Sequence, residues 1–217
     1  MLVTGVVPVH AGSLKWQDYR GSDTGLIVYY NTDSVSELPI REIPEGIPSD
    51  VAAEPNYESA TYGIYGCVQS KMRSVFVKKK FGYLFFMTKY SGTVPEFLDD
   101  LMITGYYKVK QTTDVQKLHI KHLDNYSCIN DKSCVALRAD VVRFVSVTDA
   151  FKITPKHLEK WGASSRITRQ SKIELTADQV KEIVSFLDAK ENVLDQYIEI
   201  TADLTPSIDE EDEESDE

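Results

Sequence analysis

A chain of 217 residues with 42% apolar and 10% aromatic content holds enough hydrophobic material for a packed core, and its length fits one large or two small domains. No window approaches the roughly 18 apolar residues of a membrane span, residues 1–9 (MLVTGVVPV) lack the basic start of a secretory signal, and three cysteines do not complete a disulfide framework, so the expected location is cytoplasmic. The formal charge of -10 is unevenly placed: eight acids lie within 209–217, which leaves the rest close to neutral, and no acid at all occurs between Glu58 and Glu96, where Lys71, Arg73, Lys78, Lys79, Lys80 and Lys89 fall.

In chain order, residues 2–9 read as a Val-rich strand, 10–21 as a polar loop holding Trp16, Tyr19 and Arg20, and 25–30 (GLIVYY) as a second strand closed by a turn at 31–34. Residues 37–55 carry Pro39, Pro44, Pro48 and Pro55 among acids and few large apolar residues, the pattern of a surface insertion. Three aromatic-rich runs follow, at 60–68 (ATYGIYGCV), 81–88 (FGYLFFMT) and 101–109 (LMITGYYKV). A basic connection (QSKMRSVFVKKK) joins the first two, and Pro95 opens a short helical turn between the second and third. Residues 115–122 and 134–147 supply further strands, with β-branched and aromatic residues dominating throughout.

The pattern changes after Thr148. Thr154 and Pro155 place a capping hydroxyl before a first-turn proline, Leu158 and Trp161 share one face of the resulting short helix, and Gly162 ends it. A second helix starts at Thr176 and carries Val180, Ile183, Val184 and Leu187 at helical spacing. Residues 193–204 are amphipathic, as helix or strand, and 205–217 have the composition of a disordered acidic tail. About seven strands, most of them preceding the strongest helix, imply an α+β domain spanning 1–204: a mixed or antiparallel barrel with short flanking helices rather than a doubly wound parallel sheet.

The short signatures of hydrolases, P-loop and dinucleotide proteins and zinc proteases are absent, and no cofactor is implied. Asp99 and Asp100 are adjacent, and neighbours on an extended chain point apart. His119, His122, Cys128 and Cys134 are zinc-ligand types, but the two cysteines lie six residues apart, far from a compact knuckle, and the simpler reading is a half-buried hairpin with ordinary thiols. No metal site is assigned.

Binding chemistry is better represented. Lys71, Arg73, Lys78, Lys79 and Lys80 crowd one connection between core strands; arginine offers a fork that matches phosphate or a base edge, and lysine a less directional attraction to a backbone. The competing account is a solvated connection whose lysines blunt a sheet edge. The aromatics interleaved with it can stack on bases, although most of them must be core and Phe85 and Phe86 face opposite sides. Residues 161–169 (WGASSRITR) add an aromatic, hydroxyls and two arginines on a loop after a helix.

This order of elements resembles the PUA-like superfamily, the small barrels that include EVE, ASCH and YTH domains. The resemblance covers about residues 60–190. It rests on the basic stretch running into Phe81, Gly82, Tyr83, Leu84, Phe85 and Phe86, on Ile103 to Val109 in the form I-x-G-x-x-x-V, and on the W-G-x-S-S-R segment at 161–166. Residues 67–73 (CVQSKMR) are more loosely similar to domains associated with nucleotide modification. The resemblance implies a pocket that accepts a nucleobase, often a modified one, within DNA or RNA, lined by Arg73, Tyr106, Trp161, Ser165 and Arg166. The expected function is thus a nucleic-acid-binding module; the alternatives are a nucleotide- or nucleic-acid-processing enzyme and a protein-interaction component of a defence or replication system.

Overall fold

The described strands of this chain form one mixed sheet in the order β3-β6-β5-β4-β2-β8, with β1 and β7 also pairing to β5. The computed structural model describes residues 15–30, 55, 60–63, 72–90, 95–114, 135–168 and 170–194. The strands are β1 (Gln17–Asp18), β2 (Ser22–Tyr29), β3 (Thr61–Tyr62), β4 (Phe81–Lys89), β5 (Leu101–Asp114), β6 (Val135–Phe144), β7 (Phe151–Lys152) and β8 (Lys172–Leu175). Among the described residues only the β2–β4 pair is parallel, and the other pairings are antiparallel. The expected strands at 2–9 and 115–122, the insertion at 37–54, most of the amphipathic stretch at 193–204 and the acidic tail lie outside the described residues.

The central strands are buried on both faces, which is why 84–87 read as an unbroken apolar run rather than an alternation. Leu26, Val28, Leu84, Phe86 and Tyr107 point to one side, where Tyr62, Met72 and Phe76 cover them. Ile27, Phe85, Met87, Ile103 and Tyr106 point to the other, under two helices, α1 (Pro155–Lys160) and α2 (Ala177–Asp188). Fully burying each such side chain is worth about 1.5–3 kcal/mol, so these two layers hold the sheet. Ile103 and Tyr106 share a face because of a bulge: Phe86 pairs with Gly105 and Met87 with Ile103, leaving Thr104 as the extra residue.

Both helices begin as the sequence indicates. Thr154 accepts a hydrogen bond from the His157 backbone N–H while the Thr154 N–H donates to His157 Nδ1 at 3.1 Å, and Pro155 occupies the first turn. Thr176 and Gln179 repeat the reciprocal cap, the Thr176 N–H donating to Gln179 Oε1 at 2.8 Å. Gly162, with φ +64, follows the end of α1 in the left-handed conformation.

Two expectations change. A closed barrel is not formed among the described residues, since β3 and β8 end the sheet without pairing to one another; the architecture is a mixed sheet with short helices. The basic connection before β4 is also not simply a loop. Residues Arg73–Val77 form a π-helical turn, closed by Lys78 N–H donating to the Arg73 carbonyl at 2.9 Å. Met72 and Phe76, four apart and both fully buried, dock it on the sheet. Their spacing in the sequence was the signal for this turn, and the surrounding cations obscured it.

Candidate nucleic-acid interface

Met72 and Phe76 anchor the helical turn, so its remaining side chains are sorted by default: Arg73 is half-buried, and Lys78, Lys79 and Lys80 emerge exposed where the turn runs into β4. Lys80 sits at φ +56, and this left-handed residue reverses the chain. Its carbonyl then accepts the Ser22 N–H at 2.7 Å and the Ser22 hydroxyl at 2.8 Å. These bonds pin the lysines beside the start of β2. Lys71 lies outside the described residues.

On the helix-covered side, the loop from α1 to β8 and β8 itself bound a half-open cleft of about 340 Å³, near the small end of the roughly 300–1,000 Å³ usual for ligand sites. Trp161, Gly162, Ala163, Ser164 and Ile167 line it from the loop, and Lys172, Ile173 and Glu174 from the strand. The loop is held by its own hydroxyls: Ser164 Oγ accepts the Arg166 N–H at 3.1 Å, and Ser171 Oγ accepts the Thr168 N–H at 2.8 Å. Trp161 is stacked against His157 at 5.5 Å between centroids and against Phe151 at 6.4 Å, so it is 9% exposed and gives the cleft an indole edge rather than a free face.

An ion pair connects the cleft to the basic turn: the Lys79 ammonium meets the Glu174 carboxylate, which lines the cleft from β8. Of the residues the sequence singled out, Trp161 therefore lines the cleft, Lys79 reaches its rim, and Ser165 and Arg166 lie exposed on its loop without lining it. Lys78 and Lys80 flank Lys79. Lys172 and Glu174 were missed, because a four-residue strand between two helices leaves too short a pattern to read.

Tyr106 and Arg73 are not among the residues lining the cleft. Tyr106 is 4% exposed, packed on Phe85 and Tyr83 at centroid distances of 5.7 and 6.0 Å, and its hydroxyl donates to Asp188 Oδ1 at 2.8 Å. Burial first, and this bond to Asp188 second, push its pKa well above the usual tyrosine value. Such a ring is core, with little surface left for a base. The adjacent acids are each held by a lysine: Asp99 pairs with Lys89 at 2.8 Å, a bond that holds the Lys89 pKa above its usual value, and Asp100 with Lys152 at 2.5 Å.

Among the described residues no group of three or more His, Cys, Asp or Glu side chains converges as a metal site. His119, His122, Cys128 and Cys134 lie outside them. No described helix is long and apolar enough to cross a membrane. Compared with family models, curated proteins and solved structures, the chain gives no match.

Proposed function

We propose that this chain is a nucleic-acid-binding module. It takes a base of DNA or RNA, modified or not, into the cleft beside Trp161 and holds the adjoining phosphates with Lys78, Lys79, Lys80 and the loop residue Arg166. The observation that carries this reading is the Lys79–Glu174 ion pair, which sets the acid-free basic segment at the rim of a cleft whose wall combines an indole, hydroxyls and a carboxylate. Glu174 can accept from an exocyclic amine or ring N–H, and the edge of Trp161 gives an apolar wall. Selection by shape and polar edge, rather than full-face stacking, follows from how little of the indole is accessible. A PUA-like relationship belongs to the same proposal, supported by the sequence motifs at 81–86, 103–109 and 161–166, and a cytoplasmic location is proposed with it.

The test is fluorescence-polarisation binding of the full chain to single- and double-stranded DNA and RNA oligonucleotides, with and without modified bases, at low and high salt. A preference for one base that persists at high salt is the expected result. Weak binding that vanishes with salt, or no binding, overturns the base-pocket reading and leaves the lysines as a solvated edge.

A further inference from the structure

The turn that carries Lys78, Lys79 and Lys80 does not stand alone. The Tyr19 hydroxyl donates to the Phe81 carbonyl at 2.8 Å, and Ser22 binds the Lys80 carbonyl through both its N–H and its hydroxyl, so the β1–β2 turn lies against the start of β4. Arg20, between them in the chain, is exposed on the same end of the sheet. Four cations are thereby gathered from two chain segments, and of these four only Lys79 forms an ion pair with a described residue, Glu174. Asp18 and Asp23, which flank Arg20 in the chain, and Glu174 temper the surface and leave the four cations in excess by one.

The same chain carries a ligand of matching chemistry. Residues 209–217 hold eight carboxylates and no base. The described chain ends at Leu194, beside a point fixed on β6, where the Val193 N–H donates to the Phe144 carbonyl at 2.9 Å and the Phe144 N–H donates to Asn192 Oδ1 at 3.1 Å. From there, residues 195–208 can span up to about 50 Å, against a radius of gyration of about 16 Å for a globule of this size. Phe144 pairs with Gly105 and Gly105 with Phe86, on the strand that starts at Phe81, so a span of this length covers the distance to the lysine turn. A tether of this length also supplies it at about millimolar effective concentration, where several weak surface ion pairs add to a populated contact although each alone is worth little.

We infer that the surface formed by Arg20, Lys78, Lys79 and Lys80 is the docking site of the chain's own acidic segment, 209–217. The segment covers the basic rim by charge complementarity alone, so its occupancy falls with salt. Docking itself does not depend on any nucleic-acid ligand. The further consequence, that the segment competes with an oligonucleotide for this surface, rests on the function proposed above.

Two measurements on the full chain test it. Zero-length carbodiimide cross-linking followed by peptide mapping reads docking directly: cross-links from 209–217 to Lys78, Lys79 and Lys80 are expected in excess of those to Lys156 and Lys181, which are also exposed, on the helices, and the excess disappears at high salt. Cross-links spread evenly over all these lysines, or absent, overturn the inference. The second measurement compares oligonucleotide affinity with that of a full-length variant in which the eight tail acids are amides, expected to bind about threefold or more tightly at low salt and equally at high salt. The cross-link excess with no oligonucleotide binding by either protein supports docking and removes the nucleic-acid reading. Equal binding by both proteins without the excess does the reverse.

Discussion

Lys79 and Glu174 lie 95 residues apart in the chain and form an ion pair across the end of the sheet, joining the turn before β4 to the edge strand β8. Their side chains are 47% and 55% exposed, so the pair contributes at most about 1 kcal/mol to stability. Its importance is positional. The pair sets a cation at the mouth of a cleft, at an energy low enough for a phosphate to compete for that cation.

Replacing Glu174 with Gln keeps the shape of the cleft wall and, in its Oε1, an acceptor for the base edge, and it releases Lys79. The unfolding free energy from urea denaturation is expected to stay within about 1 kcal/mol of the parent, while oligonucleotide affinity rises about two- to fivefold at low salt and converges with the parent at high salt. Polarisation titrations at two salt concentrations check this. An affinity unchanged at low salt removes Lys79 from the interface.

Ser164 is exposed and lines the cleft, so Ser164→Phe puts a ring into the space without disturbing the core, at the cost of the hydroxyl that accepts the Arg166 N–H. Base-selective binding is expected to fall about tenfold or more, with most of the salt-sensitive, base-independent part retained because the three lysines are untouched and only Arg166 loses a loop bond. A thermal melt within a few degrees of the parent shows that the loss is local. Equal loss for all oligonucleotides places recognition elsewhere.

What the sequence made legible follows the physics of each signal. Caps announce themselves locally, and Thr154 with Pro155 and Thr176 with Gln179 mark both helix starts. Apolar runs announce burial, and 81–88 and 101–109 both lie in the two central strands that the structure extends to Lys89 and Asp114. Short strands carry too few residues for a pattern, and β1, β7 and β8 were invisible for that reason. Long-range polar contacts leave no local trace: nothing near Arg143 states that its guanidinium will bind the carbonyls of Leu187, Asp188 and Lys190 and so satisfy the end of α2. Tyr106 shows the same limit in a candidate site, since a tyrosine that stacks on a base and one buried under a helix are written alike.

Tyr106 and Tyr19 make stability fall at high pH. An unfolded tyrosine ionises near 10; burial raises Tyr19 to about 12 and, with the Asp188 bond, raises Tyr106 further. Native tyrosine thus stays protonated where the unfolded chain ionises, so the stability both groups contribute is complete below pH 10 and is lost as pH rises above it. At neutral pH, Tyr106→Phe is expected to cost about 1 kcal/mol for the lost bond to Asp188. Urea unfolding between pH 8 and about 11.5 should show that deficit shrinking above pH 10. A deficit independent of pH contradicts the assignment of Tyr106 as a protonated donor, and unchanged oligonucleotide binding by the same variant separates this core role from the cleft.

Two glycines separate two reasons for needing the residue. A Cβ on Gly82 would lie 2.2 Å from the Ser22 carbonyl oxygen, and one on Gly21 would lie 2.3 Å from the Gly82 Cα, so β2 and β4 start in backbone contact that nothing larger permits. Gly162 has open space around it and only the cost of a left-handed backbone. Gly82→Ala should therefore lower unfolding free energy by about 2–4 kcal/mol, and Gly162→Ala by about 1 kcal/mol. Because the Ser22 bonds to the Lys80 carbonyl lie at the same junction, Gly82→Ala should also displace the lysine turn and weaken oligonucleotide binding in whatever fraction remains folded, whereas Gly162→Ala leaves that turn in place. Chemical denaturation with parallel binding titrations reads both quantities. Comparable losses of stability for the two variants would mean that the β2–β4 junction relaxes more easily than its contacts imply.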